Sequence, residues 1–226
     1  MEIIKDIMKD RMKDIVIYGA GGYGKEIACL LKRINTATPT WNLIGFIDDG
    51  LDVGTENEYG KVLGGVEFLN SATYPISVVM SIGKPQTVKI IIEKITNPLI
   101  EFPNIIAPDV IFMDADNLTI GKGNVFCTGC LVSCNTKIGD FNSFNDYVSV
   151  GHDTVIGNYN AFMTATRVSG IVTIGDCNFF GVNSCMVQGI KIGNNTTLAA
   201  GSALIRRTKD GYTYIGVPAT ALVIKK

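Results

Sequence analysis

One histidine occurs in the 226 residues, His152, and Asp153 follows it. An imidazole with an adjacent carboxylate suits general-base work, because the carboxylate fixes the tautomer and stabilises the imidazolium. The competing reading of the same pair is an ordinary surface histidine. A second candidate is Gly19-Ala20-Gly21-Gly22-Tyr23-Gly24. Glycines there let the backbone approach a phosphate, and a following helix N-terminus would supply free N–H groups and partial positive charge. The alternative is a tight turn with no ligand. A third is Cys127-Thr128-Gly129-Cys130 with Cys134 beyond it, a spacing that tempts a metal reading.

The element that must position His152 is a repeat of eighteen. Ile-Gly recurs at Ile120-Gly121, Ile138-Gly139, Ile156-Gly157, Ile174-Gly175 and Ile192-Gly193, and each eighteen divides into three hexads. Position one of every hexad from Ile120 to Leu204 is apolar, and the hexads fall into an isoleucine column, a phenylalanine-led column and a valine-led column. Three hexads per turn predict a three-sided β-solenoid whose short parallel strands stack about 4.8 Å apart. Position five holds small or polar residues, and Asn124, Asn142, Asn160 and Asn178 share one column, where stacked amides can pair. His152 takes position three, away from the interior column, and points outward near a corner. Cys127, Cys130 and Cys134 take positions two, five and three and point in different directions. No second pair lies at zinc-finger spacing, so packed thiols are expected and no metal site.

The glycine-rich turn needs a different frame. Asp14 to Tyr18 reads as a strand and Lys25 to Ile34 as a helix with Ile27, Leu30, Leu31 and Ile34 on one face. Strand, turn and helix make the first unit of a Rossmann-like fold. A second strand, Asn42 to Ile47, ends at Asp48-Asp49, where a carboxylate commonly accepts from a ribose or a base. Val62 to Asn70 reads as a turn with a short helix. A third strand, Ile76 to Ile82, ends at Gly83-Lys84, and Pro85 precedes a helix over Gln86 to Thr96. Phe102 to Asp116 reads as a turn-rich entry coil. About a hundred residues precede the solenoid, enough for one mononucleotide-binding half. The expected organisation is therefore a Rossmann-like nucleotide-binding domain over 14–105 and a β-helix domain over 106–226.

A net charge of −1 gives no reason to expect nucleic acid or an anionic membrane as partner. Met1 to Lys13 alternates charge with apolar residues, which argues against a signal peptide or membrane span and for an amphipathic lead-in or a tail. A cytoplasmic location with six free thiols follows as the expectation.

Taken together, the glycine-rich turn, Asp48-Asp49, the uninterrupted hexads with Asn145 and Gly151-His152-Asp153, and the ending Gly216-Val217-Pro218-Ala219 resemble one family. These are the bacterial left-handed β-helix acyltransferases of the sialic-acid O-acetyltransferase type, which include N-acetyltransferases of nucleotide-linked 4-amino sugars. The resemblance covers nearly all of the chain from Asp14 onward, and left-handedness is part of what it implies. It also implies that His152 is the general base supported by Asp153, and that Asn145 helps to place the acceptor sugar. Gly19, Gly21, Gly22, Tyr23 and Gly24 with Asp48, Asp49 and Lys84 would hold the nucleotide. Acetyl-CoA would be the cosubstrate, lying between adjacent subunits of a homotrimer against later coils that include Val182 and Ala200. Arg206 and Arg207 either receive the CoA phosphates or close the solenoid as solvated charges. Spacing adds that Gly170 stacks one rung beyond His152, where its N–H could meet the thioester oxygen as it gains charge. Two departures stand out: some amino-sugar members have a second histidine where this chain has Ala161, and many have one where it has Ala107.

The expected reaction is direct acetyl transfer to the 4-amino group of a nucleotide-linked 4-amino-4,6-dideoxy sugar. O-acetylation of a sialic acid or related sugar is the nearest alternative, and a non-catalytic nucleotide-sugar-binding trimer is one of another class. A zinc-dependent hydratase would need three histidine ligands. UDP, dTDP and GDP remain open.

Overall fold

The computed structural model describes residues 12–222. Within them the chain forms two compact units. One runs from the first described residue to Gly83 and from Ile90 to Pro108; the other takes Lys84–Lys89 and the chain from Asp109 onward. The lead-in expected over Met1 to Lys13 concerns, up to residue 11, residues outside those described.

In the first unit the apolar, β-branched run Lys13–Tyr18 forms β1, with Ile15, Val16 and Ile17 fully buried. It pairs in parallel with β2 (Trp41–Ile47) on one side and β5 (Ile76–Met80) on the other. Two elements extend the sheet beyond β2: β4 (Gly60–Gly64), and β3 (Glu56–Asn57), which pairs with β4 in antiparallel fashion. On the other side β6 (Ile100–Glu101) pairs with β5, giving the order β3-β4-β2-β1-β5-β6. Helix α1 (Gly22–Ala37) buries Ile27, Ala28, Leu30 and Leu31, a stripe at the i, i+3, i+4 spacing of an amphipathic helix. It starts three residues before the Lys25 suggested by the apolar pattern, inside the glycine run. β4 also departs from the sequence reading, which gave Val62 to Asn70 as a turn with a short helix. That stretch holds the end of β4 and then α2 (Val66–Asn70). Gly60, Gly64 and Gly65 break the apolar run, and pairing with β2 forms the strand regardless of propensity. Helix α3 (Pro85–Lys94) starts at the proline.

In the second unit each hexad contributes a two-residue strand made of position six and the following position one. The three columns form three parallel sheets with a register of eighteen: Val125↔Ser143 and Phe126↔Phe144, Leu131↔Ser149 and Val132↔Val150, Lys137↔Val155 and Ile138↔Ile156. This is the predicted β-solenoid. Position one is buried in every hexad from Phe126 to Leu204, and Ile120, on the first rung, is half-buried. Phe126, Phe144, Phe162 and Phe180 stack with ring centroids 4.5, 4.8 and 4.8 Å apart. Their faces are sealed by like residues, so each rung completes the core of the one before. The buried asparagines pair as their column suggested. Asn142 donates its backbone N–H and its Nδ2 to Asn124 Oδ1, and Asn160 and Asn178 repeat the pattern.

Position four is where the coil turns. From residue 123 to residue 201 it adopts positive φ in every hexad. Four of these corners are glycine (Gly123, Gly129, Gly189, Gly201), and three are Asn135, Asn183 and Asn195, residues that tolerate the left-handed region. Others are Tyr147, Asp153, Tyr159 and even the β-branched Ile171 at φ +60°. Their backbone is held by bonds between rungs, such as Tyr147 N–H to Thr128 O and Ile171 N–H to His152 O, each 2.8 Å.

The Ile-Gly period also has a cause. A Cβ at Gly121, Gly139, Gly157, Gly175 or Gly193 would collide with the side-chain oxygen of Asp140, Asn158, Asp176, Asn194 or Asp210. That oxygen reaches past the glycine to accept the N–H of the next residue, as Asp140 does from Lys122 at 2.9 Å and Asn158 from Asp140 at 2.8 Å.

Removing one ring from the phenylalanine stack leaves a cavity that the rungs cannot collapse to fill. Phe162→Ala should cost about 3–5 kcal/mol, read as a lower urea midpoint. Ile171→Asn, which relieves an exposed β-branched corner, should raise unfolding free energy by about 1 kcal/mol in the same measurement.

Candidate active site

His152 lies at position three on the corner that follows the valine-led sheet, with its side chain and that of Asp153 about half exposed. Asp153 is the position-four residue, and its left-handed backbone (φ +55°) turns its carboxylate back along the corner. Its Oδ2 lies 2.7 Å from His152 Nδ1. Asn135, one rung earlier at position four, donates Nδ2 to the other oxygen, Oδ1, at 2.6 Å. These bonds, first that to His152 and then that to Asn135, hold the Asp153 carboxyl below the usual carboxylate range. It is therefore an anion at neutral pH and accepts only, so Nδ1 carries the imidazole proton and Nε2 has the free lone pair. The two bonds that the carboxylate accepts are complete above the ordinary carboxylate pKa and are lost as pH falls through the lowered one.

Nε2 is aimed at the next rung. A Cβ at Gly170 would lie 2.5 Å from Nε2, 2.7 Å from Cε1 and 2.8 Å from Cδ2. The imidazole thus occupies the space that any side chain at position 170 would fill. Gly151 has a matching function: a Cβ there would lie 2.5 Å from the Gly170 nitrogen. Among the described residues that N–H meets no acceptor, whereas the Gly170 carbonyl accepts from Gly189. Glycine beside glycine leaves a bare donor next to the imidazole. The same device recurs on the phenylalanine-led column, where a Cβ at Gly181 would lie 2.5 Å from the Ala200 nitrogen. Gly181 and Asn135 were missed in the sequence reading, and Gly151 was given there only as part of the Gly151-His152-Asp153 run. Their signals were present: glycine at position two outside the isoleucine column, and an asparagine eighteen residues before Asp153.

Asn145 is at position two of the phenylalanine-led column. Its Nδ2 touches Met163 Sδ at 3.7 Å, and its Oδ1 is buried with no hydrogen-bond partner. A buried amide oxygen without a donor is costly, so it marks a place where one is required. The remaining solenoid candidates are Val182, Ala200, Arg206 and Arg207, all exposed. Of the thiols, Cys130 is buried, donates to Asn145 O at 3.1 Å, and is pushed up to about 12 mainly by burial. It is a packed thiol and not a thiolate ligand. Among the described residues no group of three or more His, Cys, Asp or Glu could hold a metal ion.

In the first unit, the turn after β1 is built by backbone and carboxylates together. Gly19 has φ +111°, and a Cβ on it would meet Ser81 Oγ at 2.7 Å. Ser81 Oγ itself lies 2.8 Å from the carbonyls of Tyr18 and Gly19. A Cβ on Gly24 would collide with Gly19 O, so the first turn of α1 needs glycine to close on the strand. Gly21 is the N-cap, with no side chain capping the helix, and positions 21 and 22 face open space. Tyr23 is half-buried. Asp48 accepts from Ala20 N–H and Gly50 N–H, both at 2.9 Å. Asp49 accepts from the Tyr18 hydroxyl at 2.6 Å and from Val66 N–H at 2.9 Å. Burial, and then the Asp49 carboxylate, push the Tyr18 phenol up, so it stays a donor. Both carboxylates thus tie the strand ends together. Lys84, which belongs to the second unit, is exposed, and its carbonyl accepts the first N–H groups of α3.

Comparison with known proteins gives two family matches. Residues 14–95 match the PglD N-terminal domain, and residues 171–206 match the hexapeptide repeat of succinyl-transferase. No curated protein matches the chain in sequence. Among solved structures, the acetyltransferase domain of PglB from Neisseria gonorrhoeae FA1090, in complex with acetyl coenzyme A, is 26% identical with a TM-score of 0.83. That match covers 93% of this chain and 100% of the other. WeeI from Acinetobacter baumannii AYE is 26% identical with a TM-score of 0.78 over the same shares. PerB from Caulobacter crescentus, in complex with CoA and GDP-perosamine, shares the fold at 22% identity and a TM-score of 0.80, covering 93% and 97%. A PglD-type domain ahead of an unbroken hexapeptide solenoid, in the fold of these structures over nearly the whole chain, is the domain organisation of the left-handed β-helix hexapeptide-repeat acyltransferases.

Proposed function

We propose that the protein is an acetyl-CoA-dependent sugar acetyltransferase that acts on the 4-amino group of a nucleotide-linked 4-amino-4,6-dideoxy sugar, with His152 as general base. The observation that carries this reading is the pairing at one corner of an imidazole, whose Nδ1 is held by Asp153, with the bare N–H of Gly170. The match to the acetyltransferase domain of PglB with acetyl coenzyme A supports the choice of acyl donor. PerB, which binds CoA and GDP-perosamine, supplies the fold-level precedent for a nucleotide-linked amino sugar.

In this reading acetyl-CoA supplies the acetyl group as a thioester. The sugar amine forms a bond to the acetyl carbon, the carbon–sulfur bond breaks, and the amine proton passes to His152 Nε2. That proton goes on to the departing sulfur, leaving the amide and free CoA. The Gly170 N–H donates to the carbonyl oxygen as negative charge develops there, an interaction that strengthens only along the reaction. Asn145 Oδ1 accepts from the acceptor sugar. In the N-terminal domain, taken as residues 14–105, the turn from Gly19 to Gly24, Asp48, Asp49 and Lys84 holds the nucleotide. The β-helix domain, taken as residues 106–226, contributes Val182, Ala200, Arg206 and Arg207 to the acyl donor, and the active form is a homotrimer with sites between subunits.

A mass-spectrometric assay with acetyl-CoA and UDP-, dTDP- and GDP-linked 4-amino-4,6-dideoxy sugars tests the reading. A gain of one acetyl group on one member is expected. No transfer to any of them by a protein that binds acetyl-CoA would shift the reading to a sialic acid hydroxyl as acceptor. His152→Ala should abolish transfer with the assembly intact, and full activity in that variant would sink the general-base assignment. Gly170→Ala puts a methyl group where the imidazole lies. It should lower kcat about 10–100-fold while shifting the melting temperature by no more than a few degrees, since the ring can swing into solvent.

A further inference from the structure

The corner that carries His152 contains a polar residue that does not touch the imidazole and that the proposed reaction does not use. Asn135 stands one rung before Asp153 in the position-four column, with φ +52° against +55° for Asp153. Its Nδ2 donates to Asp153 Oδ1 at 2.6 Å, while Asp153 Oδ2 faces His152 Nδ1 at 2.7 Å. Each carboxylate oxygen therefore has one partner, and the two partners come from different rungs.

An exposed aspartate beside a histidine has free rotation about its side-chain bonds and makes such a contact only part of the time. A donor fixed to the preceding rung removes that freedom. With Oδ1 tied to Asn135, Oδ2 is left aimed at Nδ1, and the imidazole is held in the form protonated at Nδ1. The rung before also presents the Cys134 thiol, and Asp153 N–H donates to the Cys134 carbonyl at 3.1 Å. The rung after presents Gly170 and Ile171, which carry no charge. On these neighbouring corners Asp153 is the charged group that can select the tautomer, and Asn135 is the group that can orient Asp153.

We infer that Asn135 is a positioning residue: acting through Asp153, it fixes the His152 tautomer so that Nε2 is the basic nitrogen facing the Gly170 corner. This inference rests on the reading of His152 as general base, but its first test does not. His152 is the sole histidine in the sequence, so the imidazole nitrogen shifts of untagged, 15N-labelled protein report it without assignment. Asn135→Gly keeps a residue that accepts the left-handed corner and removes the donor. Asn135→Asp keeps the corner, removes the donor and sets a like charge beside Asp153.

The wild-type protein, at a pH where the imidazole is neutral, should show one nitrogen protonated, Nδ1, and both variants should show a mixture of tautomers. In the acetyl-transfer assay kcat should fall about 10-fold in each variant with KM for both substrates unchanged. Asn135→Gly should have no further effect in an Asp153→Asn background, because the residue acts only through that carboxylate. Wild-type nitrogen shifts in both variants would overturn the proposal. If no acetyl transfer is found with any acceptor, the tautomer measurement still decides the role of Asn135, and only the reading of the reaction fails.

Discussion

The solenoid depends on a backbone corner that L-residues disfavour. Every position four from 123 to 201 adopts positive φ, and most of these residues carry a side chain. A non-glycine residue in this region costs on the order of 1–2 kcal/mol. That cost is tolerated because the rungs hold each other. Corner N–H groups bond to the preceding rung, position-two N–H groups bond to the following one, and the phenylalanine and asparagine columns continue inside. No rung could keep its corner alone. Stability is shared between neighbours, as in other repeat architectures.

The chemistry of the candidate site is a product of the same register. A spacing of eighteen brings Cys134, His152 and Gly170 into one column and Asn135, Asp153 and Ile171 into the next. The imidazole lies where Gly170 has no side chain, and the Gly170 N–H is bare where Gly151 has none. In the isoleucine column the equivalent N–H groups are covered by Asp and Asn side chains reaching past the repeated glycine. Glycine at position two thus has two uses in one coil: it admits a capping side chain on one column and leaves a donor without an acceptor on another. The difference lies in what the next rung places at position three.

The N-terminal unit uses its carboxylates in a different manner. Asp48 and Asp49 end β2, where a nucleotide-binding fold commonly keeps an acceptor. Here each is already bonded to two protein donors. Asp48 fastens the glycine-rich turn to β2 through Ala20 N–H, and Ser81 fastens the same turn to β5. The turn is thereby fixed in shape, with the uncapped start of α1 and the open faces of Gly21 and Gly22 available to a ligand.

Periodicity made the solenoid legible in the sequence. An interior that admits one residue type per column writes itself as a repeat of six within eighteen, and a side chain at position one has one direction to point. The β1–turn–α1 unit was legible for a similar reason, since β-branched residues, glycines and a 3.6-residue stripe follow one another. The sequence also set His152 beside Asp153 and Gly170 one rung beyond. Tertiary structure decided what depends on side-chain direction and on pairing between distant strands. β3 and β4 exist because β2 offers an edge, not because Gly60 and Gly64 favour a strand. The Asn135–Asp153–His152 chain depends on two left-handed corners turning their side chains along the column. The bare N–H of Gly170 depends on a side chain missing at Gly151, on the preceding rung. Spacing can state that two residues are neighbours, but which atoms of them meet is fixed only when the rungs close on one another.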